Sequence, residues 1–192
     1  MFNPRAITLV TIIFAAAATR LIPPEFRPWN FTPVGAMCLF GGAYFVRKWQ
    51  AFAAPLVALF VSDLMLAATV YGFDSLRHVW MSYVLFASTV AIGLTLRGRV
   101  TFLRIGAAAI GASAMFFLVS NFQVWLTAHG DTAYPRTLAG LMECYAVAIP
   151  FAKSMLYGNL FFSGVFFGGW ELLQRGLPVL REPALAPVRA QP

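Results

Sequence analysis

A chain of 192 residues that is 60% hydrophobic and 11% charged, with a mean hydropathy of +0.74, carries more apolar surface than a soluble domain of that length buries. That excludes a soluble globular protein and points to an integral membrane protein. The net charge of +7 reads as topology rather than as a nucleic-acid surface, and the two cysteines, Cys38 and Cys144, lie in separate apolar runs that give neither a disulfide framework nor clustered metal ligands.

Six apolar segments follow in chain order. The first, 6–22, has Arg5 ahead of it and Ala15 to Ala18 within it, a superficial likeness to a signal peptide. It leads directly into Arg20 and prolines, and the rest of the chain is membrane-spanning, so it reads as a retained helix. The second, 32–46, has 15 residues against the roughly 20 that cross hydrocarbon, and must tilt little, thin the membrane or draw on its flanks. The third, fourth and fifth are 51–72, 79–96 and 102–128. The stretch 137–173 would make a straight helix of roughly 55 Å. A break is therefore expected at Pro150, with 137–149 an interfacial or partly inserted helix and 150–173 the sixth span. The expected fold class is an all-α, polytopic six-transmembrane-helix bundle over 1–173. Residues 174–192, proline-rich and poor in packing residues, are expected to be a disordered cytoplasmic tail.

Lysine and arginine orient this bundle. With a cytoplasmic N-terminus the inner segments hold Arg5, Arg47, Lys48, Arg97, Arg99, Arg104, Arg175, Arg181 and Arg189, nine in all, and the outer segments hold Arg20, Arg27, Arg77 and Arg136, which is four. That bias is the one the positive-inside rule demands, and six spans return the C-terminus to the cytoplasm.

The chemistry then collects on the outer side. Trp29 and Asn30 lie in the first outward loop, His78 in the second, and Asn121, Trp125, His129, Asp131, Tyr134 and Arg136 around the third, while Asp63 sits in the outer half of the third span. The rings taken singly fit an outer aromatic belt. A carboxylate at membrane depth instead requires a partner, a proton or a polar cavity, and Asn121 either locks two helices together or meets a ligand. The expected site is an outward cavity lined by Trp29, Asn30, Asp63, His78, Asn121, Trp125 and Tyr134. In it the rings supply stacking area, and Asn30, Asp63 and Asn121 fix orientation. Small residues at 15–19, 35–43, 106–114 and 158–169 allow close helix packing, and on the first helix Ala15 and Ala18 offer a face for a partner protein.

Enzyme signatures are missing: no P-loop, no His-Glu-x-x-His and no Gly-x-Ser-x-Gly elbow occurs, so no catalytic residue, cofactor or metal site is expected. The rival readings are a structural or assembly membrane protein without ligand and, third, a membrane enzyme of unknown reaction.

The segments NFTPVGAMCLFGGAYF (30–45), PLVALFVSDLML (55–66), FFLVSNFQVWL (116–126), YPRTLAGLMECYAVAIPF (134–151) and MLYGNLFFSGVFFGGWE (155–171) resemble an uncharacterised family of small bacterial membrane proteins. That family is similar in size and layout to the substrate-binding S components of energy-coupling-factor vitamin transporters, including the solitary cobalamin-uptake members. The resemblance implies a multi-pass protein of the bacterial inner membrane that binds a micronutrient from outside, often beneath the loop joining its first two helices, where 27–33 stands. It also implies a membrane coupling subunit with ATPases as partner, met through a small-residue face like that of alanines 15 to 18. Some cobalamin-transporting relatives use a cysteine as cobalt ligand, a role that the sequence assigns to neither Cys38 nor Cys144.

Overall fold

The computed structural model describes residues 3–23, 26, 28–128 and 134–181; Arg27, His129, Asp131 and the tail 182–192 lie outside the described residues. Among those described there are six α-helices and no strand. Helix α1, Pro4–Ala18, opens where the Asn3 side chain accepts the Arg5 N–H at 3.0 Å, with Pro4 at a position where a missing N–H costs nothing, and it closes in a 3-10 turn, Thr19–Leu21. Helix α2 is Val34–Tyr44, and α3 is Lys48–Leu66, continued by a π-helical turn, Ala67–Tyr71. A 3-10 segment, Phe73–His78, leads into α4, Trp80–Leu94. Helix α5, Phe102–Thr127, and helix α6, Leu138–Gly176, each start at a threonine, Thr101 and Thr137, whose side chain accepts a first-turn N–H.

Helix α2 is the centre of the molecule. Its residues 34–43 are all buried and it touches each of the other five helices. The run 32–46 thus holds an 11-residue helix, apolar on every face, that is enclosed by the other helices of the bundle. Close approach is made possible by glycine. A Cβ on Gly42 would meet the backbone of α4 at Gly93 Cα, 2.8 Å away, and one on Gly93 would meet Leu39 Cα at 2.9 Å.

The C-terminal carbonyls of α2 are held by arginines. Arg97 donates through Nε to Gly42 O at 2.9 Å and through Nη2 to Phe45 O at 2.7 Å, while Arg5 reaches Tyr44 O at 3.2 Å and Leu180 O at 3.0 Å. Arg5 is buried, with its guanidinium 5.7 Å from the centre of the Trp170 ring. Two residues that the sequence offers only as flanking charges are therefore helix caps placed from remote parts of the chain.

Helices α5 and α6 form one antiparallel hairpin. Asn159 Nδ2 donates to Ser113 Oγ at 2.8 Å, Tyr145 Oη to Leu118 O at 2.8 Å, and Trp125 Nε1 to Pro135 O at 2.9 Å. The expected break at Pro150 does not occur: α6 runs unbroken for 39 residues, roughly 58 Å. Proline removes one helical hydrogen bond, but the bonds to α5 on both sides of it fix the direction of the chain across the gap. The segment 137–149 is accordingly the first part of α6 and not a separate interfacial helix. The ordered chain also passes residue 173, since α6 continues to Gly176 and Leu180 is buried against the N-terminal end of α1.

Three helices are long and apolar enough to cross a membrane: Pro4–Leu21, Lys48–Tyr71 and Phe102–Thr127. Val34–Tyr44 and Trp80–Leu94 are apolar but shorter. Leu9 and Ile13 of α1, Phe40 of α2, Leu59 of α3, Val90 of α4, Ala109 of α5 and Trp170 of α6 meet in the core, so every helix contributes to one apolar interior.

Candidate functional site

Because α2 begins deep in the bundle, the helices around it enclose space above its N-terminus. Two cavities lie there. One, of about 100 Å³, is lined by the polar groups of Asn30, Thr32, Thr89 and Asn159 and by the rings of Phe86 and Phe116. The other, of about 250 Å³, has Asn30, Ser120 and Asn121 as its polar groups and Phe117, Phe151 and Met155 among its apolar walls. Both share Asn30, Phe116 and Met155, so they are two halves of one cleft. Among the described residues neither half has a charged side chain in its lining.

Local chemistry explains each polar group. Asn30 has φ +60°, the left-handed conformation that asparagine tolerates better than other side chains, in the turn that carries 28–33 down into the bundle. Asn159 is buried; its amide nitrogen donates to Ser113, and its oxygen accepts no hydrogen bond from the described residues. Gly35 has no side chain because Asn159 fills that space, its Nδ2 lying 2.8 Å from where a Cβ would be. Thr89 donates to Leu85 O at 2.9 Å and Asn121 Nδ2 to Phe117 O at 2.8 Å, so each side chain is anchored to its own helix and keeps its oxygen as an acceptor. The lining offers donors and acceptors together, because its amides and hydroxyls carry both.

Of the seven expected site residues, two reach this cleft: Asn30 and Asn121. Asp63 does not. Its carboxylate forms an ion pair with Arg20 at 2.6 Å and accepts the Tyr83 hydroxyl at 2.6 Å, and Arg20 also donates to Ser62 Oγ and Leu59 O. The buried charge is thus neutralised by a cation from the end of α1, the partner that a carboxylate at membrane depth requires. Trp125 also lies outside the cleft: it bonds Pro135 O and stacks with Arg136, whose guanidinium is 5.7 Å from the ring centre and donates to Ala128 O, so it ties the ends of α5 and α6 together. Trp29 is 69% exposed and, like the half-buried Tyr134, lines neither half of the cleft. His78 ends the 3-10 segment Phe73–His78, and its side chain lies outside what is described. Ala15 and Ala18 are exposed on α1, whereas Ala16 and Ala17 pack inward.

Asn159, Thr32 and Thr89 were not among the expected residues. Asn159 carries the same signal as Asn121, an amide inside an apolar run, but it is embedded in the small-residue sequence 158–169 that suggests packing alone. Cys38 and Cys144 are both buried, and no three His, Cys, Asp or Glu side chains converge among the described residues.

The helices and the cleft define an all-helical membrane protein with an uncharged polar cavity. The chain belongs to a family of unknown function, DUF6580, whose model matches residues 1–180. No curated protein and no solved structure matches it.

Proposed function

We propose that the protein is an S-component-like binding subunit, or a solitary carrier, that takes up a small micronutrient from the outer side of a bacterial inner membrane. The observation that carries this reading is the divided cleft above α2, roofed by the loop that joins α1 to α2 and furnished with amide and hydroxyl groups between phenylalanine walls. Its two halves suit a single-ring vitamin rather than a corrinoid, so the cobalamin-like alternative is the weaker form of the proposal. Without a charged group in the lining, the favoured ligand is neutral and exchanges hydrogen bonds with the asparagine, serine and threonine side chains of the cleft. A coupling subunit would approach the exposed alanines Ala15 and Ala18.

In this reading all six helices cross the bilayer with both termini inside. Nine lysines and arginines then face the cytoplasm against four outside, and the cleft opens outward. Single-cysteine reporters test the orientation: one at Ser75 is expected to react with an impermeant maleimide added to intact cells, and one at Gln191 only after permeabilisation. Equal labelling of both in intact cells would remove the topology.

Ligand capture tests the function. The protein purified from cells grown in rich medium is expected to carry a small molecule identifiable by mass spectrometry. Asn30→Gly keeps the turn and removes the amide, and it is expected to weaken binding roughly tenfold, the loss of one hydrogen bond in a shielded site. Trp125→Ala, outside the cleft, is expected to lower thermal stability and leave affinity unchanged. The reading of the chain as a structural or assembly protein draws on the ion pair of Asp63, the Trp125 tie and the Asn159–Ser113 bond, all of which hold helices together. It prevails if the native protein binds nothing across a vitamin panel.

A further inference from the structure

A second cavity system lies at the opposite end of the bundle, where α1 begins, α2 ends and the arginines collect. It has a volume of about 530 Å³ and is lined by Arg5, Arg47 and Arg181 together with Asn3, Tyr44 and Gln50, with no carboxylate in its lining among the described residues. Arg5 already serves the carbonyls of Leu180 and Tyr44. Arg47 is exposed and makes no side-chain hydrogen bond within the described residues, and Arg181 uses its Nε on Gln174 O at 2.9 Å, which leaves both terminal nitrogens available.

This basic cavity opens into an apolar groove between α1 and α3. The groove, of about 430 Å³, is walled by Ile7, Val10 and Phe14 on one side and Trp49, Ala53 and Val57 on the other, and it shares Ala6, Phe45 and Gln50 with the arginine cavity. Cationic donors thus continue directly into a hydrocarbon-lined channel that runs along two helices long enough to cross a membrane.

We infer that this composite is a binding site for an anionic phospholipid, with the phosphate held by Arg47 and Arg181 and one acyl chain laid in the α1–α3 groove. Charge complementarity selects this occupant. A partner's transmembrane helix would fill the groove but leave the guanidinium groups facing no anion, and a free phosphate would satisfy the arginines but leave the groove unfilled. The end that carries the excess of arginine and lysine is also the end expected to face the anionic leaflet. The inference does not depend on the micronutrient reading, because it uses none of the residues of the cleft above α2.

The test uses the full-length protein in detergent, titrated with phosphatidylglycerol, phosphatidylcholine or glycerol 3-phosphate and read by native mass spectrometry and thermal shift. One phosphatidylglycerol per chain is expected to be retained and to stabilise the protein, with phosphatidylcholine retained less and glycerol 3-phosphate producing no shift. Arg47→Gln and Arg181→Gln are each expected to weaken retention roughly fivefold, the worth of one cation near an anionic headgroup. Arg99→Gln, an exposed arginine outside the cavity, is expected to change nothing. Ala53→Phe, which fills the groove without touching the arginines, is expected to reduce lipid retention as well. Stabilisation by glycerol 3-phosphate alone would make this an anion site without a lipid, and insensitivity to Ala53→Phe would disconnect the groove. An equal effect of Arg99→Gln would reduce it to surface charge. Each of these results overturns the inference.

Discussion

Gly42→Leu is expected to abolish the folded protein. The neighbours of a side chain at position 42 are backbone atoms of α4, at Val90 and Gly93, and backbone cannot rotate out of the way as a flexible side chain can. Overpacking in a close-packed core costs about 1–3 kcal/mol when neighbours relax, and here separation of α2 from α4 would be needed, so a cost at or above the top of that range is expected. Gly168→Leu is the control, because a Cβ at Gly168 meets nothing within 4 Å. Monodispersity on size-exclusion chromatography and thermal stability in detergent check the pair. If the Gly42 and Gly168 variants behave alike, the close crossing of α2 on α4 is wrong.

The second large effect concerns Asp63. Asp63→Leu leaves Arg20, whose side chain is 18% exposed, without its anion, and loss of one partner from a buried pair typically costs about 3–5 kcal/mol. The double variant Arg20→Met with Asp63→Leu removes both charges and is expected to recover most of that loss, since apolar replacement of a buried pair is often neutral. The four proteins of this double-mutant cycle, compared by thermal unfolding, separate the pair from either residue alone. A double variant as unstable as the sum of the two singles would show that Arg20 and Asp63 do not act together.

These two expectations mark where sequence reading works and where it stops. The runs 6–22, 79–96 and 102–128 agree with α1 and its 3-10 turn, α4 and α5 to within a few residues, because uninterrupted apolar sequence and the caps at Asn3 and Thr101 are local signals. The burial of α2 is not local. Its composition would suit a lipid-facing helix equally well, and only the wrapping of five other helices decides the matter. Pro150 misleads for the same reason, since its effect on α6 depends on bonds to α5 that lie outside the proline's own neighbourhood.

The site follows the same division. Asn30 and Asn121 are legible because polar amides in apolar surroundings need a reason, and both line the cleft. That Asp63 needs a partner is legible too, but Arg20 as that partner is not, because the two lie 43 positions apart and are brought together by the packing of α1 and its 3-10 turn on α3. Trp125 shows the limit of residue type as a guide: an indole at a helix end serves a ligand, a lipid headgroup or a neighbouring carbonyl equally well, and here the carbonyl of Pro135 takes it.

The central position of α2 has a consequence for how the protein is made. When the ribosome has released residues 34–44, the helix is shorter than the roughly 20 residues that cross hydrocarbon unaided, and the groups that close its end are still to come. Arg97 lies 55 residues beyond Gly42, and the α6 rings of Phe167 and Trp170 that pack on Phe40 arrive later still. Helices α1, α3 and α4, on which α2 also packs, are made before α5 and α6, so the enclosure of α2 is completed only when the last two helices arrive. Assembly of this membrane protein is therefore completed late around a helix synthesised early, and a chain interrupted before α6 leaves the α6-facing side of α2, at Phe40 and Tyr44, uncovered.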